Sequence, residues 1–249
     1  MFLATTQVEP RLFWFSALFA LSLALVHIYA GKLKFLGGVP RSYWLSMASG
    51  VSVAYVFVHL LPDLGEKQIT INQTGILGFI EHHVYLLALL GLSIFYGLES
   101  LVTKSQKEQN NLAKAKIFWL HIGSFALYNA LIGYLLLHRE TPGLLSLISF
   151  FVAMALHFLV NDYGLREDHQ QNYHKIGRWI LAAAIIIGWV IGAGTEISEA
   201  AIAVLFAFLA GGIILNILKE ELPEERKSRF WAFTVGVAAY TVILLVLDT

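Results

Sequence analysis

The chain has 249 residues, of which 57% are hydrophobic and 14% are charged, whereas a soluble domain has about 45–50% apolar and about 25% charged residues. It has 17 basic and 17 acidic residues, and this zero net charge argues against a nucleic-acid partner. There is no cysteine, which excludes disulfides and thiolate metal sites. The apolar residues stand in blocks long enough to cross about 30 Å of hydrocarbon. This pattern predicts an all-α membrane protein, a single polytopic domain over residues 1–249 in contact with the lipid bilayer.

Windowed hydropathy predicts eight transmembrane spans, and the connections between them are mostly short. The predicted spans are 12–30, 44–62, 83–102, 117–137, 143–162, 178–195, 200–218 and 230–247. The longest predicted connections are 63–82 and 163–177. The first ten residues contain no basic region and no small-residue cleavage site, so we expect the first apolar block to be a retained span and not a signal peptide.

Lys and Arg are distributed unevenly between the two sides of the predicted membrane, because successive connections lie on alternate sides. The connections that lie on one side form a set that carries 14 of the 17 basic residues: Lys32, Lys34, Arg41, Lys104, Lys107, Lys114, Lys116, Arg166, Lys175, Arg178, Lys219, Arg226, Lys227 and Arg229. The other set carries only Arg11, Lys67 and Arg139. Because cytoplasmic loops are enriched in Lys and Arg, the first set is predicted to be cytoplasmic and both termini extracytoplasmic, in a plasma (inner) membrane.

Spans 4 and 5 carry polar residues where a lipid-facing helix would have leucine. In span 5, His157 and Asn161 are four residues apart and share a helical face, and Asp162 follows. In span 4, His121, Tyr128 and Asn129 also share a face. Polar side chains at membrane depth normally face a bundle interior or a pathway. One hypothesis is a metal site on span 5 at His157 and Asn161, beside Asp162, with His121, Tyr128 and Asn129 forming one wall of a polar path that faces it. The other is a set of interior polar groups that only hydrogen-bond neighbouring helices.

A second pair, His59 and Asp63, lies at the outer end of span 2. Imidazole and carboxylate groups at a pore mouth can concentrate a divalent cation or sense pH, whereas the alternative is an ordinary solvated loop. The Leu61-Pro62-Asp63 sequence has a weak echo in Leu222-Pro223-Glu224 after span 7. Opposed copies of one motif are typical of inverted repeats in transporters, although Leu-Pro-acid also ends ordinary helices.

Signatures of hydrolytic enzymes are absent from the sequence. It contains neither His-x-x-x-His nor His-Glu-x-x-His, which an intramembrane zinc hydrolase would need, and it has no Gly-x-Ser-x-Gly. We therefore expect a protein that is not an enzyme.

Spans 2 and 7 carry the resemblance to a known family. Span 2 ends in Phe57-Val58-His59-Leu60-Leu61-Pro62-Asp63, and span 7 is an Ala-Gly-rich helix that leads to Leu222-Pro223-Glu224. With eight spans and both ends outside, the chain resembles the ZIP (Zrt/Irt-like protein) family of divalent-metal transporters. The resemblance implies a bundle with inverted repeats of spans 1–3 and 6–8 around spans 4–5, and a homodimer. It also implies import of a zinc, iron or manganese ion by alternating access, with the metal as substrate and no resident cofactor. His59 and Asp63 would then lie on the outer approach.

The family's metal motifs are altered in this chain. Span 4 reads Tyr128-Asn129-Ala130-Leu131-Ile132-Gly133 in place of His-Asn-x-x-Asp-Gly, and span 5 reads His157-Phe158-Leu159-Val160-Asn161-Asp162 in place of His-Glu-x-Pro-(His/Glu)-Glu. Two family carboxylates have become Ile132 and Phe158. The resemblance thus implies a carboxylate-poor site for one weakly held ion, formed by Asn129, His157, Asn161 and Asp162, with His121 and Tyr128 on the transport path. The alternative is a non-transporting membrane protein on the same scaffold, such as a metal sensor, an assembly partner or a regulator.

Overall fold

The computed structural model describes residues 10–32, 43–74, 82–107, 111–139, 143–195, 197–221 and 229–247. Within these ranges the secondary structure is helical and no strand occurs. The α-helices are α1 (Pro10–Tyr29), α2 (Tyr43–Tyr55), α3 (Leu61–Thr74), α4 (His83–Lys107), α5 (Asn111–Leu135), α6 (Leu144–Asn172), α7 (Arg178–Gly194), α8 (Glu199–Asn216) and α9 (Phe230–Leu247). Three π-helical turns, Val56–Leu60, Tyr173–Gly177 and Ile217–Glu221, follow α2, α6 and α8. A 3-10 turn, Ala30–Lys32, follows α1.

The helices have the length and surface of membrane spans. Seven described helical stretches are long and apolar enough to cross a bilayer, and an eighth, Phe230–Val246, is apolar but shorter. Large apolar side chains such as Trp14, Leu127 and Val242 are at least 60% exposed. Soluble monomers rarely expose broad apolar surfaces of this kind. The protein is therefore an integral membrane protein, and a helix lies at the position of every predicted span.

The helix of span 2 is longer than the sequence predicts. The chain continues from α2 through the π turn Val56–Leu60 into α3, so the predicted connection 63–82 is helical as far as Thr74. Pro62 has no backbone N–H, and in a regular α-helix its ring would clash with the carbonyl four residues earlier. The π turn ends just before this point and widens the helix there. The Leu-Pro-acid motif of span 2 therefore lies inside a helix and does not end it. Its echo at 222–224 lies outside the described residues.

The predicted connection 163–177 is also helical. Helix α6 continues to Asn172, and the π turn Tyr173–Gly177 leads directly into α7. The Arg166 guanidinium lies beside Gly31, and Arg178 Nη1 donates to the Ile28 carbonyl at 3.2 Å. Because both arginines lie at the same end of α1, the chain reverses its direction between them.

Three helix pairs pack most extensively: α5 with α7, α2 with α9, and α4 with α8. In each pair, two glycines, one on each helix, lie directly against the backbone of the partner helix. A Cβ atom on Gly50 would lie 2.2 Å from the Phe233 carbonyl oxygen, and one on Gly236 would lie 2.2 Å from the Met47 carbonyl oxygen. The corresponding glycines are Gly91 and Gly211 between α4 and α8, and Gly133 and Gly188 between α5 and α7. Such contacts require the absence of a side chain.

The two glycines of α5 differ in how closely a neighbouring helix approaches them. The structure shows this approach at Gly133, where a Cβ atom would lie 2.1 Å from the Ile185 carbonyl oxygen. A Cβ atom added at Gly123 would have no neighbour within 4 Å among the described residues. Gly123 is exposed, so the packing seam covers only the second half of α5.

Basic side chains gather at one end of the bundle, which we call the basic end. Arg178 binds the last turn of α1, Lys219 pairs with Glu99 near the end of α4, and the Arg229 backbone N–H donates to Ser46 Oγ at 3.2 Å. Lys67 and Arg139 instead line one cavity near the other end. This distribution agrees with the alternation of Lys and Arg along the sequence.

Candidate functional site

A buried carboxylate lies at the centre of the main polar network. Asp162 Oδ1 lies 2.7 Å from His27 Nδ1, and both side chains are fully buried. The same oxygen accepts a hydrogen bond from the Tyr173 hydroxyl at 2.5 Å. The network thus joins α1, α6 and the π turn that begins α7. Since two donors meet one carboxylate oxygen, the negative charge of Asp162 is stabilised without exposure to water.

The second nitrogen of His27 extends the network to α5. His27 Nε2 lies 3.2 Å from Asn129 Nδ2. An amide nitrogen can only donate, so Nε2 accepts this bond and Nδ1 carries the proton that is donated to Asp162. The Phe158 ring packs against the imidazole with the ring centroids 4.4 Å apart. His27 is therefore held in one tautomer and one orientation between Asn129 and Asp162.

Two oxygen atoms of this network lack a hydrogen-bond partner within the described part of the chain. They are Asn129 Oδ1 and Asp162 Oδ2, and both are buried. An unsatisfied buried acceptor costs about 1–3 kcal/mol, and more when it is charged. Oxygen atoms of carboxylate and carboxamide groups are the ligands that hard divalent cations prefer. The network thus presents two oxygens that could bind a cation, and of these the carboxylate oxygen Asp162 Oδ2 could also accept a proton.

The predicted metal ligands are not all brought together. Asn129 and Asp162 belong to the network around His27. Asn161 Oδ1 instead accepts a hydrogen bond from Asn216 Nδ2 on α8 at 3.1 Å, and His157 lies beside Tyr128 with the ring centroids 6.0 Å apart. Among the described residues, no group of three or more His, Cys, Asp or Glu side chains is arranged to hold a metal ion.

Apolar side chains occupy the middle of this region. Ile132 and Phe158 are 2% and 0% exposed, and the Phe158 ring contacts both His27 and His157. Phe158 therefore lies between the two histidines. Of the six residues predicted on these two helices, four adjoin this region, Asn161 faces α8, and His121 lies in a separate cluster at the basic end.

The predicted outer approach corresponds to a small cavity near the other end. His59 Nε2 lies 3.5 Å from Asp63 Oδ2, and both side chains are about one-fifth exposed, at 22% and 18%. They line a cavity of about 40 Å³ together with Lys67, His138 and Arg139. Burial lowers the pKa of the Arg139 guanidinium to about 10, which still leaves it charged at neutral pH. The cavity therefore holds two fixed cations beside one carboxylate, a charge balance that does not favour accumulation of a divalent cation.

His121 belongs to a second polar cluster, on the basic end. Its Nε2 lies 2.9 Å from Glu99 Oε1, and its Nδ1 lies 2.8 Å from His169 Nε2. Lys219 pairs with the other oxygen of Glu99. His121 thus contacts Glu99 and His169, and its place on a path to the central region stays a prediction.

His27 is the functional candidate that the sequence did not reveal. It stands in the last turn of α1, is 1% exposed, and connects Asn129 to Asp162. A single imidazole in an apolar span was the available signal, since a titratable group at membrane depth is a functional candidate by default.

Comparison of the chain with protein-family models, with characterised proteins and with solved structures gave no significant match.

Proposed function

We propose that this protein is a ZIP-like membrane carrier that moves one divalent metal cation at a time into the cytoplasm, and that Asn129 and Asp162 hold the cation. The observation that carries the proposal is the pair of buried oxygens, Asn129 Oδ1 and Asp162 Oδ2, which lack hydrogen-bond partners within the described ranges. Both residues lie on the two helices where the ZIP resemblance puts the metal site.

The pairing of helices supports the ZIP-type arrangement with inverted repeats. If spans 1–3 correspond to spans 6–8, the α2–α9 contact is the counterpart of the α8–α4 contact. These two contacts are among the most extensive in the bundle, and each is closed by reciprocal glycines. A π turn also follows both α2 and α8, just before the Leu-Pro-acid motif in each copy. A repeated packing device and a repeated helix irregularity are what an internal duplication would leave.

The proposed site holds fewer charges than a two-metal site requires. Asp162 supplies one carboxylate and Asn129 one carbonyl oxygen. His27 could supply its Nε2 after that nitrogen gives up the hydrogen bond it accepts from Asn129. Phe158 and Ile132 fill positions where the resemblance expects carboxylates. A single carboxylate offsets only part of the charge of a divalent ion, so we expect weak binding and rapid release.

A specific observation favours a second candidate, a non-transporting protein on this scaffold. Among the described residues, no group of three or more acidic or imidazole side chains is arranged to hold a metal ion. In this second candidate, the His27–Asp162 pair is a structural link between α1 and α6, and the protein acts through a partner or as a sensor.

Metal uptake in a transport-deficient host distinguishes the two candidates. Cells that express the wild-type chain should accumulate Zn²⁺, Fe²⁺ or Mn²⁺ above the vector control, and Asp162→Asn should abolish this gain because it removes the single carboxylate. Ser149→Ala is the matched control: it removes a buried polar group on the same helix that bonds Tyr240 and lies outside the network. His157→Ala should leave most of the uptake, because His157 lies beside Tyr128 and outside the hydrogen bonds around Asp162.

The absence of uptake with all three metals, in cells shown to contain the protein in the membrane, would refute the carrier. Uptake that survives in Asp162→Asn would keep the carrier and refute the site. Uptake lost in His157→Ala but retained in Asp162→Asn would place the site around His157 instead.

A further inference from the structure

An open groove of about 680 Å³ lies at the basic end of the bundle, beside the junction of α6 and α7. Four of its lining residues belong to the last part of α6 and two to the π turn Tyr173–Gly177. They are Tyr163, Arg166, Glu167, Gln171, His174 and Lys175. The volume falls in the range of about 300–1,000 Å³ that is usual for ligand sites. The groove therefore has room for a molecule of many atoms and not only for a single ion.

Arg166 lies where α6 meets the end of α1. Its guanidinium carbon would be 3.3 Å from a Cβ atom on Gly31, and the side chain is half-buried. Within the described ranges Arg166 has neither a hydrogen bond nor an ion pair. A guanidinium group held against a neighbouring helix without a counter-ion keeps its N–H groups available for an anion. Its planar fork matches two oxygens of a phosphate group.

The lining of the groove carries a small positive charge. Its described charged residues are two cations, Arg166 and Lys175, and one carboxylate, Glu167, which leave a net charge of +1 with histidine neutral. Lys175 and Glu167 are exposed, and neither forms an ion pair with the described part of the chain. This balance suits an anion with a single negative charge and disfavours a divalent metal cation. Glu167 and the amide of Gln171 can in addition hydrogen-bond hydroxyl groups.

Aromatic side chains place the groove at the depth of lipid headgroups. Trp179 is 51% exposed, and the Arg178 guanidinium lies over its ring at 5.3 Å. On the other side, Tyr29 is 48% exposed, and Lys32 Nζ lies over its ring at 4.7 Å. Exposed Trp and Tyr side chains collect at the membrane–water interface. Because Lys175 is four residues from Trp179, and Arg166 contacts α1 just beyond Tyr29, the groove opens at this interface.

We propose that this groove binds the headgroup of an anionic phospholipid, a singly charged phosphodiester that carries hydroxyl groups. Arg166 and Lys175 bind the phosphate, and Glu167 and Gln171 bind the hydroxyl groups. The acyl chains continue along the exposed apolar surface that begins at Ile176. The sequence predicts that this end is cytoplasmic, and anionic lipids are abundant in the cytoplasmic leaflet. The lipid site stands on these contacts and does not depend on the carrier function.

Native mass spectrometry of the full chain tests the site with phosphatidylglycerol, whose headgroup has this chemistry. The wild-type chain, released from detergent, should bind a first phosphatidylglycerol molecule more tightly than phosphatidylcholine, which has a cationic headgroup without hydroxyl groups. Equal affinity for the two lipids would overturn the proposal.

Charge-removing variants show whether the groove provides this preference. Each basic residue near an anionic lipid contributes about fivefold to binding, so Arg166→Gln should weaken the first phosphatidylglycerol by about fivefold or more. Lys175→Gln should weaken it by about fivefold, and because Lys175 is exposed this variant does not disturb the fold. Lys104→Gln is the matched control: it removes one exposed cation on α4 that does not line the groove, and should bind as the wild-type chain does. Equal losses in Lys175→Gln and Lys104→Gln would refute the groove.

Soluble phosphates distinguish a lipid from a free anion as the occupant. Glycerol 1-phosphate and inorganic phosphate, each at millimolar concentration, should leave the first phosphatidylglycerol bound, because they lack the acyl chains that extend along α7. Displacement of the lipid by either one would show that the groove is a site for soluble phosphate and would overturn the lipid assignment.

Photo-crosslinking locates the lipid on the unmodified protein. Phosphatidylglycerol with a diazirine group in the acyl chain, near the headgroup, is incorporated into nanodiscs that contain the wild-type chain. After illumination, peptide mapping should find the main crosslink between residues 163 and 179, with Ile176 and Trp179 as the expected positions. An excess of unlabelled phosphatidylglycerol should suppress this crosslink. A main crosslink elsewhere in the chain, or one that the excess lipid leaves unchanged, would refute the site.

Discussion

The glycine contact between α5 and α7 offers a quantitative test of the packing. A Cβ atom on Gly188 would lie 1.7 Å from the carbonyl oxygen of Ala130 and 2.5 Å from its carbonyl carbon. A carbon atom normally approaches a carbonyl oxygen to about 3.3 Å, so Gly188→Ala must move the helices apart by about 1.6 Å. Both colliding atoms of Ala130 belong to the backbone, so no side-chain rotation relieves the clash.

Overpacking of this kind costs about 1–3 kcal/mol, and separation of the helices also loses dispersion contacts along the whole seam. We expect Gly188→Ala to lower the free energy of unfolding by about 2 kcal/mol or more. For a chain of this length, 1 kcal/mol corresponds to about 2–4 °C, so Tm should fall by about 4–8 °C.

Thermal unfolding in detergent micelles, followed by tryptophan fluorescence, measures this effect. The signal is the summed emission of six tryptophans, one of which, Trp189, adjoins Gly188 and donates a hydrogen bond to Ser16 Oγ on α1 at 3.0 Å. Gly123→Ala is the matched control on α5, because no atom of the described part of the chain lies within 4 Å of the added methyl group. It should leave Tm unchanged or raise it, since alanine favours helix by up to about 1 kcal/mol over glycine. If Gly188→Ala unfolds at the same temperature as Gly123→Ala, the close approach of α5 and α7 is wrong.

Three further substitutions test individual hydrogen bonds, each by the same unfolding measurement. Asn216→Leu should lower the free energy of unfolding by about 0.6–2 kcal/mol, because it leaves the side-chain oxygen of Asn161 without its donor inside the bundle. An unchanged Tm would contradict that hydrogen bond. Tyr173→Phe removes one of the two donors to Asp162 and should lower the free energy of unfolding by about 1.5–3 kcal/mol, the range for a hydrogen bond to a charged group. An unchanged Tm would show that the hydroxyl does not reach the carboxylate. Tyr240→Phe removes the hydrogen bonds to the hydroxyl and carbonyl oxygens of Ser149 and should lower the free energy of unfolding by about 1 kcal/mol. A gain in stability would refute this contact.

Hydropathy could locate the helices but not their ends. The helical segments coincide with the predicted spans because a span needs about 20 apolar residues, and this requirement is visible in the composition of each segment. The continuation of the chain through Pro62 was not predicted, because the π turn that admits the proline depends on local backbone geometry that no residue pattern encodes. The helical segment from 163 to 172 was missed for another reason: its polar residues belong to an amphipathic helix end, which a hydropathy window treats as a loop.

The candidate site was predictable only in part. Asn129 and Asp162 stood out because polar groups are costly in a membrane. His27 was missed because its partner Asp162 is 135 residues away, and a single histidine forms no pattern. The four-residue spacing of His157 and Asn161 correctly placed them on neighbouring turns of one helix. It could not show that one would meet α5 and the other α8, since that depends on how the helices pack.

The reciprocal glycines also determine where the bundle can deform. In three helix pairs, α2–α9, α4–α8 and α5–α7, the backbones interlock so closely that one cannot slide past the other without a collision. Helix α6 instead meets α1 through larger side chains, such as the stacked rings of Phe19 and Phe151 at 4.3 Å. Side-chain contacts of this kind permit small sliding movements that interlocked backbones do not. We therefore expect small movements to occur at the contact between α1 and α6 and not within the three interlocked pairs, and the His27–Asp162 bond crosses this α1–α6 contact.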